Sequence, residues 1–122
     1  MKTEKIYNEV LEKIKKEASG FVGASIVDME SGMPLATQST RDDFDLGTAS
    51  AYNSEMVKMK LKTMEILGLN QQLEDMLLTL SDHIHLVKII DANSFLYLAC
   101  EKASSNLGIV RSAVNRHVAS LK

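Results

Sequence analysis

The chain has 122 residues, 45% of them apolar and 25% charged, with a formal net charge of −2. These proportions describe one soluble domain over residues 1–122, and the interleaving of Lys with Glu excludes a nucleic-acid footprint and a polybasic membrane arm. No apolar run approaches the ~18 residues of a bilayer span, and the first residues lack the apolar core of a signal peptide, so a cytoplasmic location is expected.

The first segment, residues 2–18, places Ile6, Tyr7, Val10, Leu11, Ile14 and Ala18 in one arc of a helical wheel, with Lys and Glu outside it. That makes a one-sided helix suited to lie on a sheet, and Gly20 supplies a left-handed stop just past its end. Residues 21–28 follow as a strand with small or apolar side chains on both faces, Val22, Ala24 and Ile26 on one and Phe21, Ser25 and Val27 on the other. A strand of that kind is covered on both sides. Gly32 suits a hairpin turn, and the returning strand, 33–38, holds the only proline, Pro34. Proline cannot donate to a ladder, so this strand belongs at a sheet edge.

After a polar connection at 39–43, a second helix is expected from a cap at Asp45 to Leu67, with Gly68 and Asn70 ending it. It carries two apolar stripes. Ala49, Tyr52, Met56, Met59 and Ile66 form one, and Val57, Leu61 and Met64 form the other, with Ser54, Glu55, Lys58, Lys62 and Glu65 left to solvent. A helix on the outside of a sheet needs only one stripe. Burying a Val, Leu or Met side chain is worth ~1.5–3 kcal/mol, so Val57, Leu61 and Met64 call for a cover. A second copy of the chain would supply it, or the loop around Phe44 and Leu46 in the same chain.

Three strands are expected at 73–80, 84–90 and 95–100. The first runs through Met76, Leu77, Leu78, Thr79 and Leu80 with neither proline nor lysine to blunt it, so it is either central or paired with another chain. Met76, Leu78 and Leu80 therefore join Val57, Leu61 and Met64 as the expected dimer interface. A last, Ser-capped helix opens through Ser104-Ser105-Asn106-Leu107-Gly108 and buries Leu107, Val110, Val114, Val118 and Leu121. Gly108 is expected to mark a close approach of this helix to a strand. The order is α-β-β-α-β-β-β-α.

Little in the chain suggests catalysis. His83 and His85 alternate on a strand and project from one face, an arrangement that can hold a metal if Asp82, Asp91 or His117 approaches as a third ligand. The plainer reading is two half-exposed histidines, with His117 a packing residue on the last helix. Cys100, the only cysteine, lies in an apolar run, which makes it a buried, inert thiol and fits a reducing compartment. Phosphate loop, dinucleotide fingerprint, nucleophile elbow and closely paired carboxylates are all missing. The expectation is a protein that is not an enzyme and takes no cofactor.

Three local patterns in their order carry a resemblance. They are Gly23-Ala24-Ser25-Ile26-Val27-Asp28 in the first strand, the Asp82-His83-Ile84-His85-Leu86-Val87 core within residues 80–90, and Asn106-Leu107-Gly108-Ile109-Val110-Arg111 at the last helix. Over residues 5–121 the chain resembles the roadblock family of dynein light chains and their prokaryotic relatives. The resemblance implies an α+β fold, a roadblock/profilin-like sandwich: a five-stranded antiparallel sheet with two helices on one face and one on the other. It also implies a homodimer joined through the second helix and third strand into one continuous sheet. Family members serve as platforms for small Ras-like GTPases or as light chains in larger assemblies. The implied role is an adaptor that binds and regulates such a GTPase, with Glu55, Lys58, Lys62 and Glu65 facing the partner. A structural scaffold without GTPase contact is one alternative, and a small-molecule or metal-responsive sensor using His83 and His85 is another. The sequence stops at Lys122, directly after the last helix, whereas relatives that regulate gliding motility run on; the resemblance then implies the platform role and leaves stimulation of hydrolysis open.

Overall fold

The computed structural model describes residues 4–122, so the first turn expected at Lys2 and Thr3 lies outside the described residues. In chain order the elements are α1 (Glu4–Glu17), β1 (Phe21–Asp28), β2 (Pro34–Ser39), α2 (Leu46–Ile66), β3 (Asp75–Thr79), β4 (His83–Asp91), β5 (Ser94–Glu101), a short 3-10 turn (Lys102–Ser104) and α3 (Leu107–Ala119). The strands make one antiparallel five-stranded sheet in the order β2-β1-β5-β4-β3. Pro34 thus lies on an edge strand, where its missing N–H interrupts no interior ladder.

Two apolar layers follow from strand alternation. On one face Val10, Leu11 and Ile14 of α1 and Val110, Val114 and Val118 of α3 pack over Ala24, Ile26, Leu96 and Leu98. On the other, Leu46 and Val57 of α2 pack over Val22, Val27, Val87, Phe95 and Tyr97. The central strands β1 and β5 are covered on both faces, which is why each reads as a nearly unbroken apolar or small-residue run.

One detail of β1 differs from simple alternation. Phe21 packs with Ala24 and Ile26, while Val22 lies on the α2 side with Val27. The ladder to β5 shifts register between Phe21 and Gly23, and a bulge there exchanges the faces of the residues before it. Gly20 sits just upstream at φ +78°, and a Cβ added to it would stand 2.7 Å from Ser104 Oγ and 3.0 Å from the Glu101 carbonyl oxygen. Its own carbonyl accepts from the Glu101 N–H at 2.7 Å. This crossing joins the end of α1 to the end of β5 at a separation that only glycine permits.

The start of α3 also departs from expectation. Its cap is Asn106, whose Oδ1 accepts from Ile109 N–H at 3.1 Å, and the serines before it belong to the 3-10 turn and the link that follows. No strand crowds Gly108: the nearest atom to an added Cβ is Asn106 Oδ1 at 3.3 Å. Gly108 therefore leaves room for the cap oxygen. At the far end of α3, Arg116 and His117 both hydrogen-bond the Glu17 carboxylate and so tie α3 to the last turn of α1. The His117 bond is the main reason the Glu17 carboxyl titrates below its usual range.

Candidate functional site

Asp45 starts α2 by accepting from Thr48 N–H at 2.9 Å and from the Thr48 hydroxyl at 2.7 Å. Those two bonds hold its carboxyl below the usual range. The face turned to the sheet is Leu46, Ser50, Ser54, Val57 and Met64. Ser50 Oγ lies 2.9 Å from Ser25 Oγ of β1 and donates to the Leu46 carbonyl at 2.6 Å. Ser54 Oγ donates to the Met29 carbonyl at 2.7 Å. Small hydroxyls let the helix sit close over β1 while every buried hydroxyl on this contact keeps a partner.

This seating divides both expected stripes, since Ala49 and Met56 of the first pack against the core while its other members do not. Val57 and Met64 are 0% and 8% exposed, covered within the chain, so neither is free for a second subunit; Leu61, at 41%, is the one member of that stripe left open. Tyr52, Met59 and Ile66 are instead 74%, 64% and 74% exposed, on the side of α2 turned away from the sheet. A wheel built on hydropathy assigned Ser54 to solvent, yet it is buried, and Ser50 with it. With those two serines counted as inward-facing, the helix rotates to its observed setting. Tyr52, Met59 and Ile66 then recur every seven residues, the seam spacing of paired helices, while half-buried Met56 packs against the α2-side core.

The third strand is an edge. Among the described residues β3 pairs only with β4, with Met76 opposite Val87 and Leu78 opposite His85. Met76 and Leu78 thereby share the α2 side of the sheet and are half-buried, and Leu80, just past the strand, is exposed. Arg111 of α3 reaches Asp75 at 2.9 Å and anchors the start of β3. Of the charged residues on α2, Glu55, Lys62 and Glu65 are exposed. Lys58 is engaged: its Nζ donates to the Glu30 carbonyl at 3.0 Å and lies 3.6 Å from the Glu55 carboxylate.

His83 and His85 face the same side, their rings 5.5 Å apart, with His85 Nε2 3.4 Å from His83 Nδ1. Tyr97 Oη stands 3.2 Å from His85 Nδ1, and the Phe44 ring lies 6.2 Å from His83 and 6.3 Å from His85. Burial, aided by His83, lowers the His85 pKa, while burial pushes Tyr97 up to about 12. None of the suggested third ligands arrives: among the described residues no group of three or more His, Cys, Asp or Glu is placed to hold a metal. Asp91 is occupied by Asn93 N–H and Ser94 Oγ, and His117 is bound to Glu17. Cys100 is buried and its thiol is pushed up to about 11, so at neutral pH it is a protonated packing residue.

The whole arrangement has close structural counterparts. Myxococcus xanthus MglB matches with a TM-score of 0.88 at 14% identity, over 99% of this chain and 88% of that one. Gliding protein MglB from Thermus thermophilus matches at 0.84 and 19% identity, over 97% and 87%. A Roadblock/LC7 domain from Streptomyces avermitilis matches at 0.82 and 10% identity, over 93% and 92%. The chain has the roadblock/LC7 fold. No family model and no curated protein matches its sequence. The roadblock sandwich predicted from the resemblance is thus the one found, down to the sides on which the three helices lie. Among the described residues no helix of this roadblock fold is long and apolar enough to cross a membrane.

Proposed function

We propose that this roadblock chain is a non-catalytic homodimeric adaptor that binds and regulates a small Ras-like GTPase. The observation that carries the reading is the exposed seam of α2, Tyr52, Met59 and Ile66, together with the open edge of β3. An apolar seam of that spacing is costly in water and suits pairing with a second helix. An edge strand with no proline or lysine is suited to pairing with another strand. Leu61 and Leu80, both exposed, and half-buried Met76 and Leu78 are further apolar side chains that a second copy could cover. A 21-residue helix, about 31 Å long, with an added strand offers the ~800 Å² per partner that stable interfaces bury.

The GTPase reading rests on the fold shared with the gliding proteins and on the family resemblance, whose members serve as platforms for such GTPases. Glu55, Lys62 and Glu65 line the exposed flank of α2 and are the groups proposed to meet the partner, with Lys58 held in reserve by its bond to Glu30. Light scattering at micromolar concentration should give a dimer, and Ile66→Glu or Leu78→Glu should give monomers. A monomeric wild-type chain would overturn the dimer. Pull-down from the native host with a non-hydrolysable GTP analogue should retain a small GTPase, weakened by Lys62→Glu. Absence of any small GTPase among the binders would favour a scaffold role.

A further inference from the structure

We infer that His83 and His85 form a two-imidazole chelate for a zinc ion at the mouth of the cleft between the β3–β4 turn and the end of β5. The site is independent of the adaptor reading. Its first support is distance. Two imidazole nitrogens about 2.05 Å from zinc at the tetrahedral angle lie about 3.3–3.4 Å apart, whereas a square-planar bite would bring them to about 2.8–2.9 Å. His85 Nε2 and His83 Nδ1 are 3.4 Å apart. The tetrahedral bite is already present in the backbone register and ring settings, since both residues stand on β4 one strand step apart.

The second support is the shell around the pair. Phe44 packs beside both rings and limits their rotation, and Tyr97 Oη touches the far nitrogen of His85 at 3.2 Å. A metal-bound imidazole needs a partner for its other ring nitrogen, and such a partner fixes the tautomer. Without metal, the tautomer that carries the His85 proton on Nε2 lets Tyr97 donate to His85 Nδ1 and His85 Nε2–H donate to His83 Nδ1. With zinc bound, the His85 proton moves from Nε2 to Nδ1, Tyr97 Oη accepts it as a hydrogen bond, and both facing nitrogens present lone pairs. No proton is gained or lost.

The third support is access. His83 borders the cleft lined by Arg41, Ser81, Asp82, Glu101 and Lys102. Glu101 is His83's direct cross-strand neighbour, and with Asp82 it balances Arg41 and Lys102, so the rim sets no net positive charge against an entering cation. With no third protein ligand in place, water fills the remaining positions, so the ion is exchangeable.

The test uses the full chain without an affinity tag, stripped of metal and titrated with Zn2+ by calorimetry and with Co2+ by visible absorption. One Zn2+ per chain is expected, with the intense bands of tetrahedral Co2+. His83→Asn and His85→Asn should each weaken Zn2+ binding at least a hundredfold. Tyr97→Phe should weaken it by a smaller factor, roughly tenfold, as loss of an orienting partner does. His117→Asn, on the other face, should leave it unchanged. His83→Phe and His85→Phe, which retain apolar packing beside Phe44, serve as a second pair where an Asn variant fails to fold. No Zn2+ binding by the wild-type chain, or binding that survives loss of both histidines, overturns the site.

Discussion

Replacing Ser50 with Ala should destabilise the chain more than replacing Ser25, although the two hydroxyls touch each other and both are fully buried. Ser50 has a single O–H, and it is committed to the Leu46 carbonyl at 2.6 Å. Ser25 must therefore be the donor across the 2.9 Å contact. Ser50→Ala strands the Ser25 O–H beneath α2 with no acceptor, which costs about 1–3 kcal/mol. Ser25→Ala leaves Ser50 donating as before and forfeits one net hydrogen bond, about 0.5–1.5 kcal/mol. With both replaced the stranded donor is gone, so the double variant should lose about 1 kcal/mol less than the sum of the singles. At about 3–5 °C per kcal/mol for a chain of this size, the order is visible in melting temperature. Urea unfolding at one fixed protein concentration, so that self-association contributes equally, gives the full cycle. Equal losses for the two single variants, or strict additivity in the double, would refute the assignment of donor and acceptor.

Three further outcomes follow from the same geometry. Val57→Glu should unfold the chain, because a carboxylate would be buried in the α2 layer, whereas Ile66→Glu should leave the secondary structure intact and change only the mass measured by light scattering; equal damage by both would show that α2 is seated differently. Asn106→Ala should cost about 1 kcal/mol in urea unfolding, and Ser104→Ala markedly less, since Asn106 alone caps α3; the reverse order would restore the serine cap. The depressed Glu17 carboxyl stabilises the fold above the ordinary carboxylate range, and that contribution is lost as pH falls through its lowered value. Melting curves of wild type and Glu17→Gln should thus converge on acidification from about pH 7 to about pH 3, and a gap that stays constant would exclude the tie to Arg116 and His117.

Element boundaries were legible where a residue type forces a stop. Asp45 and Gly68 bracket α2 because one caps by accepting an N–H and the other takes φ +70°. Pro34 marked its own edge, and the unbroken apolar run of β5 announced a strand covered twice. The rotation of α2 was hidden because hydropathy ranks Ser50 and Ser54 as surface residues, while their hydroxyls find partners on β1 and at Met29. A pattern search for small residues at i, i+4 would have found the inward face, and the seven-residue spacing the outward one. The face exchange at Phe21 and Val22 came from a bulge, which leaves no mark in alternation. The convergence of the two imidazole nitrogens was legible only as far as their sharing a face, since ring settings depend on Phe44 and Tyr97, distant in sequence.

The strand order implies a schedule for assembly. β1 and β2 form a local hairpin, and β3, β4 and β5 a local meander, but the two units meet only where β1 pairs with β5, Gly23 opposite Ala99. That joint closes a loop spanning most of the chain, so it is the slow, entropically demanding step for which both local units wait. During synthesis the hairpin and α1 emerge long before β5 exists, with the β1 edge that will pair with β5 still open. The interval before β5 arrives is when the nascent chain is most exposed to misassociation. Variants that slow the closing joint, such as a larger residue at Gly20 beside the end of β5, should therefore lower soluble yield well beyond their effect on the finished protein.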